Sequence, residues 1–405
     1  MPYKNSFADQ QERLPISKGT NNRGIHAIAS EMKKEFANFC VALIGGSALL
    51  MGLPTSRAAA QAEPTYPYRG ATFTSFVTES YQSKGATSSP NGYYTWMDRA
   101  LNSAPVRQKL AAISQKDPAW KQTTWADVAD AERRALQAIP NTANRTARER
   151  AFCAALHTAV KAAIPRFSLD RGFEFVNTVR YGERQCFLQS VLVAGVLHSA
   201  GMKAGVAMVY RNDKGDYSNN GHAVPVAHLS DGTDIIVDCS DPTPFIRQQG
   251  LFLRDAKTNG YRYVEPVYSG KTPTIVAYKA QANGAKLSTS AVRGLDIPFL
   301  RSQFSYYRGE RTPGSLLGPG KPTSAGLAAA AARLKEGIRQ CPQNPLAQYM
   351  LGRVYMKTGQ LAEAQRQLDV ACKIYAGSGW VPPGEQEALK VVRRQRAKDS
   401  KTAAL

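Results

Sequence analysis

The stretch RQCFLQSVLVAGVLHSA, residues 184–200, decides how the centre of the chain folds. Phe187, Leu188, Val191, Leu192, Val193, Val196 and Leu197 leave no polar face. A helix apolar on every side belongs inside a core. Gly201 follows as a carboxyl cap. The next run, AGVAMVY at 204–210, reads as a buried strand. Arg211 to Gly221 is polar, with Asp213-Lys214-Gly215 and Asn219-Asn220-Gly221, and reads as a loop. A second strand is predicted over 222–229 and a third over 233–239, joined by a hairpin turn at Ser230-Asp231-Gly232. Further strand-like runs lie at 261–268 and 273–280. A buried helix followed by antiparallel strands predicts an α+β domain.

Three side chains in this region suit nucleophilic chemistry. Cys186 opens the buried helix, where the helix dipole and free amide N–H groups favour a thiolate, the nucleophilic form. His222 opens the second strand, and Asp238 ends the third, 16 residues later. Hairpin-joined strands can set these two side by side, so that the carboxylate orients an imidazole serving the sulfur. Cys239 should point away from them, because side chains alternate along a strand. His228 shares the strand of His222 and is expected to be half exposed; His157 and His198 are expected to be structural. No histidine pair is joined by a third ligand at zinc spacing, so neither a metal nor another cofactor is predicted.

The runs Gln185-Cys186-Phe187, Gly201-Met202-Lys203-Ala204, Gly221-His222-Ala223 and Ile236-Val237-Asp238 resemble the transglutaminase-like superfamily, over about residues 145–245. That resemblance implies a papain-like α+β core and Cys–His–Asp acyl chemistry. Bacterial members of this kind are similar to peptidases or amidases more often than to cross-linkers. In this scheme Cys186 attacks an amide or peptide carbonyl, its own backbone N–H steadies the oxyanion, and His222 protonates the leaving amine. The thioester then passes to water or to an amine, and both acceptors stay open. The chain departs from the pattern at Val224, where a large aromatic is common. Pro225 interrupts the second strand, which is therefore expected to lie at an edge or to be bulged. Asp241-Pro242-Thr243 displaces the family's Asp-Pro-Thr, making Asp241 a rival for the third member; Asp238 keeps the strand end and the spacing.

Amino-terminal to this region, Tyr93 to Pro165 is patterned as helices, broken at Asp117-Pro118 and Pro140-Asn141. With the strands it forms a domain over 93–307. Residues 63–92 are rich in Pro, Gly, Ser, Thr and Tyr and read as an extended linker or arm. Phe39 to Leu53 is an apolar run preceded by Lys33 and Lys34 and followed by Ala60-Gln61-Ala62, the pattern of a cleaved signal peptide over 1–62, with Met32 a candidate true start. The alternative is an uncleaved amino-terminal anchor. An exported, periplasmic or secreted protein is expected, with no membrane span once the signal is removed.

Residues 308–326 are Gly-, Pro- and Ser-rich and read as a linker. Beyond it, over 327–405, Leu351, Gly352, Tyr355, Gly359, Ala364, Leu368 and Ala371 fall at the spacing of a tetratricopeptide repeat. Ala330, Leu334, Gly337 and Pro342 match the second helix of the preceding unit. So short an array is expected to lean on the central domain. Cys341 and Cys372 fall at ends of antiparallel helices and are expected to form a disulfide in an oxidising compartment.

Composition bounds the rest. The chain has 405 residues, a net charge of +21 and six cysteines, too few for a disulfide scaffold. A mean hydropathy of −0.36 excludes a polytopic membrane protein. No zinc-finger, RNA-recognition or dense basic tract points to nucleic acid. The positive charge suits an anionic envelope polymer as partner, beside a protein or peptide substrate and a protein partner at the helical tail. Two rivals to an enzyme stand: a catalytically inactive scaffold of the same fold, and an envelope adaptor working through its tail. Removing 320–405 is expected to spare an enzyme's activity and to abolish an adaptor's binding.

Overall fold

The computed structural model describes residues 65–86, 90–258 and 260–402. The signal segment and cleavage site assigned to 1–62 lie outside them. The arm expected over 63–92 is in part a helix, α1 (Ala71–Ser83). Phe73, Phe76, Val77 and Tyr81 repeat at helical spacing and are buried, a period that the surrounding Thr and Ser hide. α2 (Asn91–Leu101), α3 (Ala104–Lys116), α4 (Trp125–Gln137) and α5 (Thr142–Ala163) follow. They break where Pro and Asn interrupt the pattern: Asn141 caps α5, its Oδ1 accepting from the Asn144 N–H at 3.0 Å.

A short parallel pair, β1 (Arg166–Phe167) with β2 (Glu183–Arg184), brackets α6 (Phe175–Tyr181) and leads into α7 (Cys186–Ser199). α7 is buried from Cys186 to Leu197. Gly195 lets the amino-terminal segment lie directly on it. The Tyr68 N–H donates to the Gly195 carbonyl at 2.9 Å, and a side chain there would meet the Phe73 ring.

The strands are β3 (Lys203–Arg211), β4 (Tyr217–His228), β5 (Asp234–Ile236), β6 (Gly250–Asp255), β7 (Tyr261–Tyr268), β8 (Ile275–Ala280), β9 (Lys286–Leu287) and β10 (Val292–Arg293). β6 pairs with both β3 and β7, so the antiparallel path β6–β3–β4–β5–β8–β7 closes into a barrel. Alternate residues fill its interior, Val209, Val224, Val226, Ile236, Leu251 and Val264 among them. The other face, including Val206, Met208, Ala223, Ala227 and Phe252, packs into the helical core.

β6 is not among the strands expected from the sequence, because only Leu251-Phe252-Leu253 carry its apolar signal. The polar loop read over 211–221 gives way to β4 at Tyr217. Pro225 is not on an edge: β4 runs between β3 and β5. Its missing N–H falls where the β5 pairing ends, at Val226↔Ile236, while its carbonyl accepts from the Val237 N–H at 2.9 Å.

The carboxyl-terminal helices are α8 (Ile297–Glu310), α9 (Ser324–Gln340), α10 (Pro345–Lys357), α11 (Leu361–Ser378) and α12 (Pro383–Thr402). The segment read as a linker over 308–326 is tightly folded: the Ser315 hydroxyl donates to the Glu310 carbonyl at 2.7 Å, and Ser315 is buried. α8 packs against α9 and so completes the half repeat. In the full repeat, α10 lies on α11 at Gly352, where a Cβ would stand 2.8 Å from Leu368. Residues 62–405 form one unit, so the tail is joined to the barrel rather than hung from it. The disulfide expected between Cys341 and Cys372 is absent; both thiols are free. Cys341 turns toward the barrel, its sulfur 3.5 Å from the Tyr261 hydroxyl.

Candidate active site

α7 and the β4–β5 hairpin bring Cys186, His222 and Asp238 together. The His222 Nε2 lies 2.7 Å from the Asp238 Oδ2. The Cys186 sulfur is close enough to the ring to favour its charged form, and Nδ1 is the nitrogen that Asp238 leaves free to face it. Cys186 is the first residue of α7, so its N–H has no acceptor within the helix. The Ser190 hydroxyl ties this first turn to the strand beside His222: it is 2.7 Å from the Cys186 carbonyl and 3.0 Å from the Ala223 carbonyl.

The electrostatics favour a charged ring. Burial by itself disfavours the imidazolium, but the Asp238 carboxylate and the Cys186 sulfur outweigh it and hold His222 well above 6.5. Burial likewise opposes the Asp238 charge; His222, the Ser240 N–H and the Gln248 amide overcome it and hold the carboxyl below 3.8. Burial pushes the Cys153 thiol up, Cys239 up to about 12, Cys372 up to about 11, and Cys341 upward.

Asp241, the rival third member, is used elsewhere. Its Oδ1 accepts from the N–H and hydroxyl of Thr243 at 2.8 and 2.7 Å. Its carbonyl is 3.1 Å from His157 Nε2 and accepts from Lys161 Nζ at 2.5 Å. His157 therefore props the turn after Asp238. His198 is half-buried against the Tyr66 ring, and burial pushes it down to about 4. His228 is less exposed than its strand position suggests, because Nδ1 meets Asp234 Oδ1 at 2.7 Å across the hairpin. Cys239 lies in the helical core with Val237.

Sequence reading missed the second layer. Arg184 is buried, donating from Nε to the Ile164 carbonyl at 2.7 Å and from Nη1 to Gln189 Oε1 at 2.5 Å. Gln189 in turn donates to Ser240 Oγ at 2.6 Å, and the Ser240 N–H donates to Asp238 Oδ1 at 2.8 Å. Gln248 reaches Asp238 Oδ2 at 3.3 Å. Gln189 and Ser190 were visible as the only polar side chains within the apolar run before His198; Gln248 carried no signal.

Cys186 is 1% exposed, while the His222 side chain is 22% exposed. The buried Tyr307 hydroxyl of α8 lies within electrostatic reach of the sulfur. A groove of about 700 Å³ runs along the loop after Asp238 and past the barrel mouth, lined by Arg211, Asp241, Phe245, Arg247, Glu265 and Tyr268 among others. Among the described residues, no helix is long and apolar enough to cross a membrane.

Residues 327–376 match the tetratricopeptide repeat family, in agreement with the helical hairpins of α9 to α11. No curated protein and no solved structure matches the chain.

Proposed function

We propose that the chain is an exported cysteine enzyme on a papain- or transglutaminase-like core, cleaving or transferring an amide acyl group. The observation that carries this reading is the His222–Asp238 contact at 2.7 Å, beside Cys186 at a helix amino terminus. The thiolate attacks the carbonyl carbon, forming the C–S bond. The oxyanion is met by the Cys186 N–H. The imidazolium gives its proton to the leaving nitrogen as the C–N bond breaks. Neutral His222 then takes a proton from water or an amine, whose attack on the thioester releases the acyl product and returns the thiolate. Asp238 steadies the charged ring throughout.

The substrate in this reading is a protein or peptide chain. An anionic envelope polymer suits the positive charge, and the repeat tail suits a protein partner. The second reading is an inactive scaffold, and the 1% exposure of Cys186 favours it. Iodoacetamide at pH 6, followed by peptide mass spectrometry, separates them. The enzyme reading expects Cys186 to label ahead of Cys153, Cys239, Cys341 and Cys372, and His222→Ala to slow it about tenfold or more. Labelling indifferent to His222 would leave the scaffold.

A further inference from the structure

The strand that carries His222 is held from outside the barrel. β4 begins at Tyr217, five residues before His222. Trp380, in the turn between α11 and α12, stacks on the Tyr217 ring with centroids 5.6 Å apart and planes 26° apart. The same indole lies 4.9 Å from the Tyr210 ring on β3 and 5.2 Å from the Tyr263 ring on β7. Two residues along β4, the Asn219 amide donates to Glu385 Oε1 in the first turn of α12. Glu385 is fully buried, so this carboxyl has no water to turn to instead. Gly379 brings the turn against Ala282 of the barrel rim, and the Tyr210 hydroxyl is fixed by Gln281 at 3.1 Å. Within the barrel, this half of β4 pairs with β3, at Val209↔His222 and Arg211↔Tyr217, while on the side of β5 the pairing reaches no further than Val226.

The ladder that would fix His222 from that side is therefore missing, and the tail supplies the restraint. We infer that the α11–α12 turn is a positioning element for His222: Trp380 and Glu385 hold the first half of β4 so that the imidazole stays on both Cys186 and Asp238. The inference rests on the cysteine-enzyme reading of the site. It makes the repeat tail part of the catalytic machinery's support, and it puts any partner bound to the tail in a position to tune that machinery.

The test is the rate of Cys186 alkylation by iodoacetamide at pH 6 divided by the rate at pH 9, measured on the full chain. Access to the sulfur affects both rates and cancels in the ratio, so the ratio reads how far His222 supports the thiolate. The variants are Trp380→Ala, Trp380→Phe and Asn219→Ala, with His222→Ala as the floor; thermal melts establish which are folded. Small misplacements of a catalytic group cost up to about a hundredfold, and we expect Trp380→Ala and Asn219→Ala to lower the ratio about fivefold or more. Trp380→Phe, which keeps a ring in the stack, should restore most of it. If Trp380→Ala fails to fold, Asn219→Ala decides alone, since it removes one hydrogen bond at a half-buried position. A wild-type ratio equal to that of His222→Ala would overturn the enzyme reading itself. A wild-type ratio well above that floor, kept unchanged in the folded tail variants, would overturn only the positioning role.

Discussion

At the scale of single residues, the His222–Asp238 pair sets a pH window. His222 is held above 6.5 in the folded chain, so its stabilising contribution is full below 6.5 and fades as pH rises through the raised value. Asp238 is held below 3.8, so its contribution is full above 3.8 and fades as pH falls through the lowered value. The two together stabilise the fold most between pH 3.8 and 6.5, where both contributions are full. Asp238→Asn leaves an amide oxygen for the ring but removes the charge, and breaking a buried pair of this kind costs about 3–5 kcal/mol. Melts of the two proteins across pH 3 to 9 should differ most near pH 6 and converge toward the acid end. A difference independent of pH would mean that the two groups do not titrate as a pair. In the same variant the His222 ring signals should titrate at lower pH than in the wild type. The buried Arg184 is linked through Gln189 and Ser240 to Asp238, whose Oδ1 accepts from the Ser240 N–H while Oδ2 faces His222.

At the scale of elements, patterns of apolar residues carried most of what could be read. α7 and β3 announce themselves by unbroken apolar runs, and the β4–β5 hairpin by Ser230-Asp231-Gly232. The approach of Cys186, His222 and Asp238 followed from order and spacing, since a helix start and two hairpin-joined strands have few ways to face one another. What stayed hidden depended on partners far along the chain. β6 is a strand because β3 and β7 flank it, not because of three apolar residues. α1 is held by α6, where Phe73 meets the Phe175 ring and the Val176 N–H donates to Ser80 Oγ, and Pro225 is tolerated inside the sheet because β5 stops beside it. Gln248 belongs to the site only through the loop that returns it to Asp238. In the tail the reverse holds: Gly352 is legible at once as the small residue of a repeat, and the structure gives its reason in Leu368. Gly352→Val should therefore force α10 from α11 and cost about 1–3 kcal/mol, the usual penalty of overpacking. A melt unchanged by that substitution would show that the helix pair has room to spare.

At the scale of the whole molecule, the tail leans on the central domain as so short an array should, and the expectation that removing 320–405 spares an enzyme's activity gives way. α8 belongs at once to the barrel domain and to the repeats, since Asn344 at the head of α10 donates to Ser302 and Gln303 of α8 at 3.0 and 3.1 Å. At the far end Trp380 lies among three barrel tyrosines. Aromatic contacts add about 0.5–1.5 kcal/mol each beyond the area they bury, so these three supply a sizeable part of the net stability of an ordinary domain, about 5–15 kcal/mol. Cutting the chain before α9 would strip this cover and expose Tyr210, Tyr263 and the α8 face to water. Loss of activity after such a cut would then report a damaged fold, and could not by itself tell an enzyme from an adaptor. Point substitutions that keep the tail in place are the sounder instrument. The same coupling predicts how the chain melts. Barrel and repeats share one contact network over 62–405, so calorimetry should give a single cooperative transition, and Trp380→Ala should shift it as a whole. Two resolved transitions in the wild type, with only the lower one moved by Trp380→Ala, would show instead that the tail folds on its own terms and that its hold on β4 is too weak to matter.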